Sequence, residues 1–453
     1  MHSRFAGITR RAAVVATAVS ATVSATVSAA VIATVIALVL PFVAHAADAA
    51  AVDAALAAAE ARAVELRHQV HQNPELSNRE TETAALVAEE LTRLGYEVET
   101  GVAHTGVVGV LRGGGGPGPV VAVRADMDAL PVTEATDLPF ASTKRTEFLG
   151  QEVGVAHACG HDVHVAVGLG TAAVLAALRD QLPGTVKFLF QPAEEGSPPG
   201  ERGGASLMIE EGALADPAPE AIFALHSMPA PAGQIGWISG ANMAAVDQFE
   251  IELQGKQAHG AAPELSVDPI VTGAQVVLAL QTIASRSVPP LDPVVVTVGI
   301  FRGGERFNII PGAVHLEGTV RTYDPEVRET VIRRMREILD GLTAAAGATY
   351  DLQYTSNAPA TINDAELSAR MRPVLVRAMG EGNVVDARPL LAGEDFAFFA
   401  NEIPGFYFRL GVVAPGTESG GLHTPNFRAD DTAIPAGMRA MTHVVLDYLE
   451  GGE

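Results

Sequence analysis

One change of pattern constrains the fold of this chain more than any other feature of its 453 residues. Up to about residue 226 short strands alternate with helices, which argues a mostly parallel α/β sheet. Strands are expected at 96–100, 107–112, 120–124, 185–191 and 221–226, with helices at 163–178 and around 205–211. Between about 246 and 355 the order becomes strand, helix, two strands, helix, strand (249–253, 269–285, 294–301, 313–321, 325–346, 349–354). That β-α-β-β-α-β order suits a ferredoxin-like module. Segments 365–380, 394–400, 405–411 and 436–449 then resume the first pattern. The expected architecture is an α/β domain built from 47–244 and 356–453, interrupted by the module at 245–355. A chain this long exceeds one typical core, which agrees with two domains.

Finer signals lie within the first domain. Apolar residues recur at helical spacing from Val52 to Val70, and Asn73-Pro74 stops that helix. Ser77 followed by Glu80 predicts a capping box for a second helix ending at Gly95. The glycine-rich run at 113–119 lacks the Gly-Lys-Ser/Thr entry to a helix, so it is a turn between strands and not a phosphate loop.

Residues 1–46 stand apart. Arg4, Arg10 and Arg11 precede a long Ala/Val/Ile/Leu run, and Ala44-His45-Ala46 forms a small-x-small cleavage site. Export with cleavage after Ala46, to the periplasm or outside, is expected, by the general or the twin-arginine route; an uncleaved membrane anchor is the alternative. The remainder holds 27 basic against 53 acidic residues. That balance argues against nucleic acid or anionic membrane as a partner. A single cysteine leaves no intramolecular disulfide to form.

That cysteine sits in HACGHDVH, His157 to His164. Flanked by histidines at ligand spacing, Cys159 reads as a soft donor in a catalytic metal centre. Further candidates stand just beyond predicted strands: Asp126 and Asp128 after 120–124, Glu194-Glu195 after 185–191, His226 after 221–225 and His423 beyond 405–411. Open α/β sheets carry their sites outside the carboxyl ends of the strands. Several candidates at one edge, with Cys159 and His161, point to one shared site.

The strings RADMDALPV (from Arg124), HACGHD (from His157), QPAEE (from Gln191), FNIIPG (from Phe307), GEDF (from Gly393) and LHTPNF (from Leu422) resemble the M20 metallopeptidases. The likeness is strongest to their amidohydrolase branch, which includes hippurate and auxin-conjugate hydrolases. The resemblance implies a catalytic α/β domain with a lid and dimerisation domain inserted. It implies two divalent ions held by Cys159, His161, Glu195, His226 and His423, with Cys159 bridging. Glu194 would then be the general base and Asp128 the orienter of a ligand. Thiolate favours Zn²⁺, though Mn²⁺, Co²⁺ or Ni²⁺ also suit such mixed sites.

Taken alone, His259 and Asn308 read as loop-capping groups and Arg321 as half of a surface ion pair. The resemblance instead implies that His259 reaches the site of a partner subunit in a homodimer, while Asn308 and Arg321 bind a substrate carboxylate. The expected activity is hydrolysis of N-acyl-L-amino acids. A dipeptidase or carboxypeptidase, and a non-catalytic binding protein on this fold, are the competing readings. Ser197–Arg202 looks like a small insertion beside the acidic pair, and Ser227-Met228-Pro229 departs from the bulkier family pattern after His226.

Overall fold

The computed structural model describes residues 48–451, so the expected signal segment lies outside the described residues. Among the described residues no helix is long and apolar enough to cross a membrane. Helices α1 (Ala49–Gln72) and α2 (Thr81–Arg93) precede β1 (Glu97–Val102), β2 (Gly106–Arg112) and β3 (Val120–Asp126). After a small hairpin come α3 (His161–Ala177), β4 (Thr185–Gln191), α4 (Gly204–Glu210), β5 (Ala221–Pro231) and β6 (Ile235–Trp237). Then follow β7 (Ala245–Gln254), α5 (Pro269–Thr282), β8 (Val294–Gly303), β9 (Ala313–Thr322), α6 (Pro325–Ala346) and β10 (Thr349–Ala358). The chain ends through α7 (Ala365–Met379), β11 (Val384–Asp386), α8 (Phe396–Glu402), β12 (Gly405–Val413) and α9 (Ala433–Leu449).

The large sheet has the order β1-β2-β4-β3-β5-β12-β6-β11. Its four central strands, β4, β3, β5 and β12, run parallel. Their side chains alternate between two buried faces. Val121, Val123, Phe188, Phe190, Phe223 and Phe408 join α1, α3 and α9 on one face. Ala122, Leu189, Ile222 and Tyr407 meet α4 and α8 on the other. Burial on both faces explains why these segments read as continuous apolar runs. The short strands β6 and β11, last in that order, were not expected, because three residues carry too little pattern to register.

A second sheet, antiparallel with the order β8-β9-β7-β10, spans Ala245 to Ala358 in the expected element order. In β7 buried and half-buried residues alternate from Ala245 to Leu253. Phe249, Ile251 and Leu253 pack with Val276 and Leu280 of α5 and with Val331, Met335 and Leu339 of α6 in a core of their own. Asp324 caps α6 by accepting from the Glu326 and Val327 amides, and Gly347 at φ 72° ends it.

The capping box at Ser77 and Glu80 does not form. The Glu75 carboxylate instead accepts from the amides of Glu82 (2.9 Å) and Thr83 (2.9 Å). Ser77 donates to Asp128 (2.8 Å), and Glu80 accepts from Thr105 (2.5 Å) and from the Ala193 amide (2.9 Å). Buried groups brought in by the tertiary fold displace the local partners that spacing suggested. The glycine run does turn between β2 and β3. It lies backbone to backbone on 182–184, where a Cβ on Gly113 would stand 2.0 Å from the Leu182 oxygen.

Candidate metal centre

The parallel sheet opens between β3 and β5. Their pairing ends at Arg124 with Ala224, whereas β3 stays beside β4 to Asp126 and β5 stays beside β12 past His226. The two strand pairs diverge around a crevice at their carboxyl ends. His226 lies within β5 rather than just beyond its strand, because pairing with β12 prolongs that strand to Pro231. The turn into α3 closes the crevice floor. Gly160, at φ 81°, has room for no side chain, since a Cβ there would meet Ser227 Oγ at 2.2 Å. This close approach seats Cys159 and His161 against β5.

Six side chains converge there. Cys159 Sγ stands 3.4 Å from His226 Nε2 and 3.3 Å from His423 Nε2. Glu195 Oε1 is 3.0 Å from His423 Nε2. His161 Nε2 lies 3.8 Å from Glu194 and 3.9 Å from Glu195. Cys159 belongs to two donor groups, Cys159-His161-His226 and Cys159-Glu195-His423, and His161 joins the acidic pair in another, His161-Glu194-Glu195.

Neighbouring groups fix the rings. His226 Nδ1–H donates to the Ser227 carbonyl (2.7 Å), leaving the Nε2 lone pair toward Cys159. His161 Nδ1–H donates to Asp128 Oδ1 (3.2 Å), and its buried Nε2 has no hydrogen-bond partner. Asp128 also accepts from the amides of Glu194 (3.1 Å) and Glu195 (3.0 Å), so one carboxylate sets both a ring and the acidic pair. His164, though close, is committed: Nδ1 faces Asp126 and Nε2 accepts from the Ser227 amide (2.7 Å).

The electrostatics fit a divalent cation. Burial, then Glu195 and Glu194, push the Cys159 thiol well above its usual range, and a bound metal would reverse that. Burial holds His226 far below the ordinary histidine value, hence neutral and able to ligate. Against the cost of burial, Asp126 and Asp128 raise His161 to about 10, a proton that a cation would replace. Burial, helped by the charges of His71 and His161 and opposed by Asp162, takes His157 down to about 3, and neither ring nitrogen has a partner.

The sequence reading missed a second layer. Arg124, fully buried, reaches Gln191 (2.8 Å), Glu394 (2.9 Å), Asp395 (3.0 Å) and Asp126. Glu394 and Asp395 form a further group, all of carboxylates, with Glu194. Burial, followed by Glu394, Glu195 and Asp395, raises Glu194 well above the carboxylate range. The signal was present: a charged residue inside an otherwise apolar strand, and an acidic pair in GEDF that was given no role.

The three residues of the smaller module divide. Arg321 lines the same cavity of about 580 Å³ as Cys159, Glu194 and His226. It makes no ion pair among the described residues, which overturns its reading as half of a surface pair. His259 is exposed, its Nδ1 accepting from the Ala261 amide (3.0 Å), and Asn308 sits beside it through the Gly260 amide (2.9 Å). Neither lines that cavity.

Residues 122–447 match the peptidase family M20/M25/M40. The chain belongs to that family. As an M20 enzyme it is a hydrolase of amide bonds. The N-acetyl-L-cysteine deacetylase of Bacillus subtilis is 39% identical over 376 residues, 83% of this chain and 85% of that one. Thermostable carboxypeptidase 2 of Saccharolobus solfataricus is 38% identical over 390 residues, 84% and 94% of the two chains. A Bacillus subtilis crystal structure described as a dinuclear metal binding peptidase of the M20 family aligns with a TM-score of 0.73. Its identity is 34%, over 87% of this chain and 99% of that one.

Proposed function

We propose that this M20 enzyme removes the acyl group from N-acyl-L-amino acids, acting as an exported homodimer. The observation that carries the reading is the shared cavity: Glu194 beside the donor cluster, with the unpaired Arg321 facing the same space. Two divalent ions held by Cys159, His161, Glu195, His226 and His423 would polarise the amide carbonyl and lower the pKa of water there. Glu194 takes the proton of the attacking water and returns it to the departing nitrogen. Asp128 holds His161 and the Glu194-Glu195 backbone in place. Arg321 receives the carboxylate of the amino acid as a charge-assisted pair.

His259 and Asn308 enter this scheme through the partner subunit, completing its site. Among the described residues, eight of the eleven exposed large apolar ones lie between Leu265 and Ile309, on the module that carries both, and this supports a contact surface there.

The test is turnover of N-acetyl- and N-benzoyl-amino acids against dipeptides with a free α-amino group, with Mn²⁺ and Zn²⁺ added separately. Release of amino acid from the N-acyl series is expected. A preference for dipeptides would instead give the carboxypeptidase or dipeptidase reading that the Saccharolobus relative favours. No turnover of either with metal bound would leave a binding protein.

A further inference from the structure

A second cavity, of about 630 Å³, adjoins the first, and both are lined by Glu195, Gly196 and Ser197. The two thus meet at Glu195, next to Glu194, as two halves of a substrate must meet at the bond that is cut. They differ in chemistry. The cavity holding Arg321 offers an unpaired cation. The other is walled by Leu76, Leu130, Phe148, Leu149, Val155 and Pro198, and its two cations are answered, Arg79 by Glu201 (3.0 Å) and Lys144 by Glu82 (3.9 Å).

One wall is a hairpin of Arg145–Phe148 paired with Gln151–Gly154. It is rooted in the stretch between Asp128 and Cys159, where Leu130 and Ala156 exchange backbone hydrogen bonds of 3.0 and 3.1 Å. The opposite wall is the insertion after the acidic pair, pinned by Glu201 to Asn78 and Arg79. The two-residue turn at the hairpin tip is Leu149-Gly150, with φ 51° and 75°. Such turns favour Asn or Asp at the first position, and a branched apolar residue there costs on the order of 1 kcal/mol. Leu149 is nonetheless 68% exposed. A large apolar side chain held in an unfavourable backbone and left in water over a cavity beside the reactive centre points to a ligand contact.

We propose that this cavity receives the acyl half of the substrate, and that the enzyme prefers apolar acyl groups much larger than acetyl, with Leu149 closing over them. The proposal rests on the N-acyl amino acid reading above. Each methylene buried contributes about three- to fourfold to binding, so a long chain lying in the cavity gains far more than acetyl.

The experiment compares kcat/KM on N-acetyl-, N-octanoyl-, N-decanoyl- and N-benzoyl-L-alanine for the metal-loaded full chain and for Leu149→Asn. Asparagine suits the left-handed turn position, so this variant keeps or gains stability while losing the apolar contact. A decanoyl-to-acetyl ratio above roughly a hundred is expected, falling about tenfold in Leu149→Asn. The benzoyl arm tells whether the cavity prefers a chain or a ring. Binding gives a second readout, by calorimetry of N-decanoyl- and N-acetyl-L-alanine on the inactive Glu194→Gln protein with and without Leu149→Asn. Equal rates on acetyl and decanoyl substrates, or a ratio untouched by Leu149→Asn, would overturn the acyl pocket and leave the hydrolase reading standing. No turnover of any N-acyl substrate would overturn both.

Discussion

The crevice of the parallel sheet and the inserted module solve different problems with side chains of similar type. In the crevice the polar groups that support the donors are buried and answered: Asp128 alone makes four hydrogen bonds, and Arg124 meets four side chains. On the module, His259 is exposed, Asn308 lies away from the cluster, and a set of large apolar residues from Leu265 to Ile309 faces outward. A site made inside one core can be located from one chain. A site that draws on a surface needs whatever covers that surface.

The first way to break this contrast has the largest effect. Glu194→Gln should lower kcat by about 10²–10⁴ while metal content stays that of the wild type, because in the proposed reaction this side chain transfers protons and holds no metal. Metal analysis of the purified variant beside its kinetics checks this. A variant keeping more than roughly a tenth of kcat would put the base elsewhere.

The next tests how strongly the crevice is tied to its surroundings. His71 bridges Asp162 (2.8 Å) and Glu134 (3.1 Å) beneath α3. Burial opposes its charge, but Asp162 and Glu134 raise its pKa to about 9. A folded value above the unfolded one stabilises fully below about pH 6.5 and is lost as pH rises through 9. About 3 kcal/mol should disappear over that window. Denaturant titrations at pH 6.5 and 9.5 would show it, and His71→Gln should lack this share of the slope. Equal slopes in both proteins would remove His71 from the account.

A smaller effect belongs to Asp128. Its replacement by alanine frees the His161 ring and the Glu194-Glu195 backbone, so metal affinity should drop about 10- to 100-fold. Competition against a chromophoric chelator measures this directly; unchanged affinity would show that Gly160 and the strands suffice to hold the ligands.

The same contrast governs what the chain made legible. Fold class, the order of the inserted module and the cluster of Cys159, His161, Glu195, His226 and His423 follow from periodicity, strand ends and matched strings. Each depends on local pattern or on several signals agreeing. What escaped depends on long-range partners: Ser77 abandons a capping box for Asp128, 51 residues away, and Arg124 meets Glu394 across 270 residues. No spacing rule reports such pairs. Leu149 was invisible for another reason, since its turn is defined by backbone angles that leucine rarely adopts.

The final test asks whether the module's surface completes the crevice of a second chain. Inactive His259→Ala chains and inactive Glu194→Ala chains are mixed after reversible dissociation. In a mixed dimer, one site combines an intact Glu194 with the partner subunit's intact histidine, and the other site has neither. Random pairing makes half the dimers mixed, so activity should return to about a quarter of the wild-type level. The recovery is modest, but neither parent supplies it. If mass analysis confirms mixed dimers and the mixture stays inactive, His259 acts within its own chain or not at all. The module's exposed apolar face would then need another reason to exist.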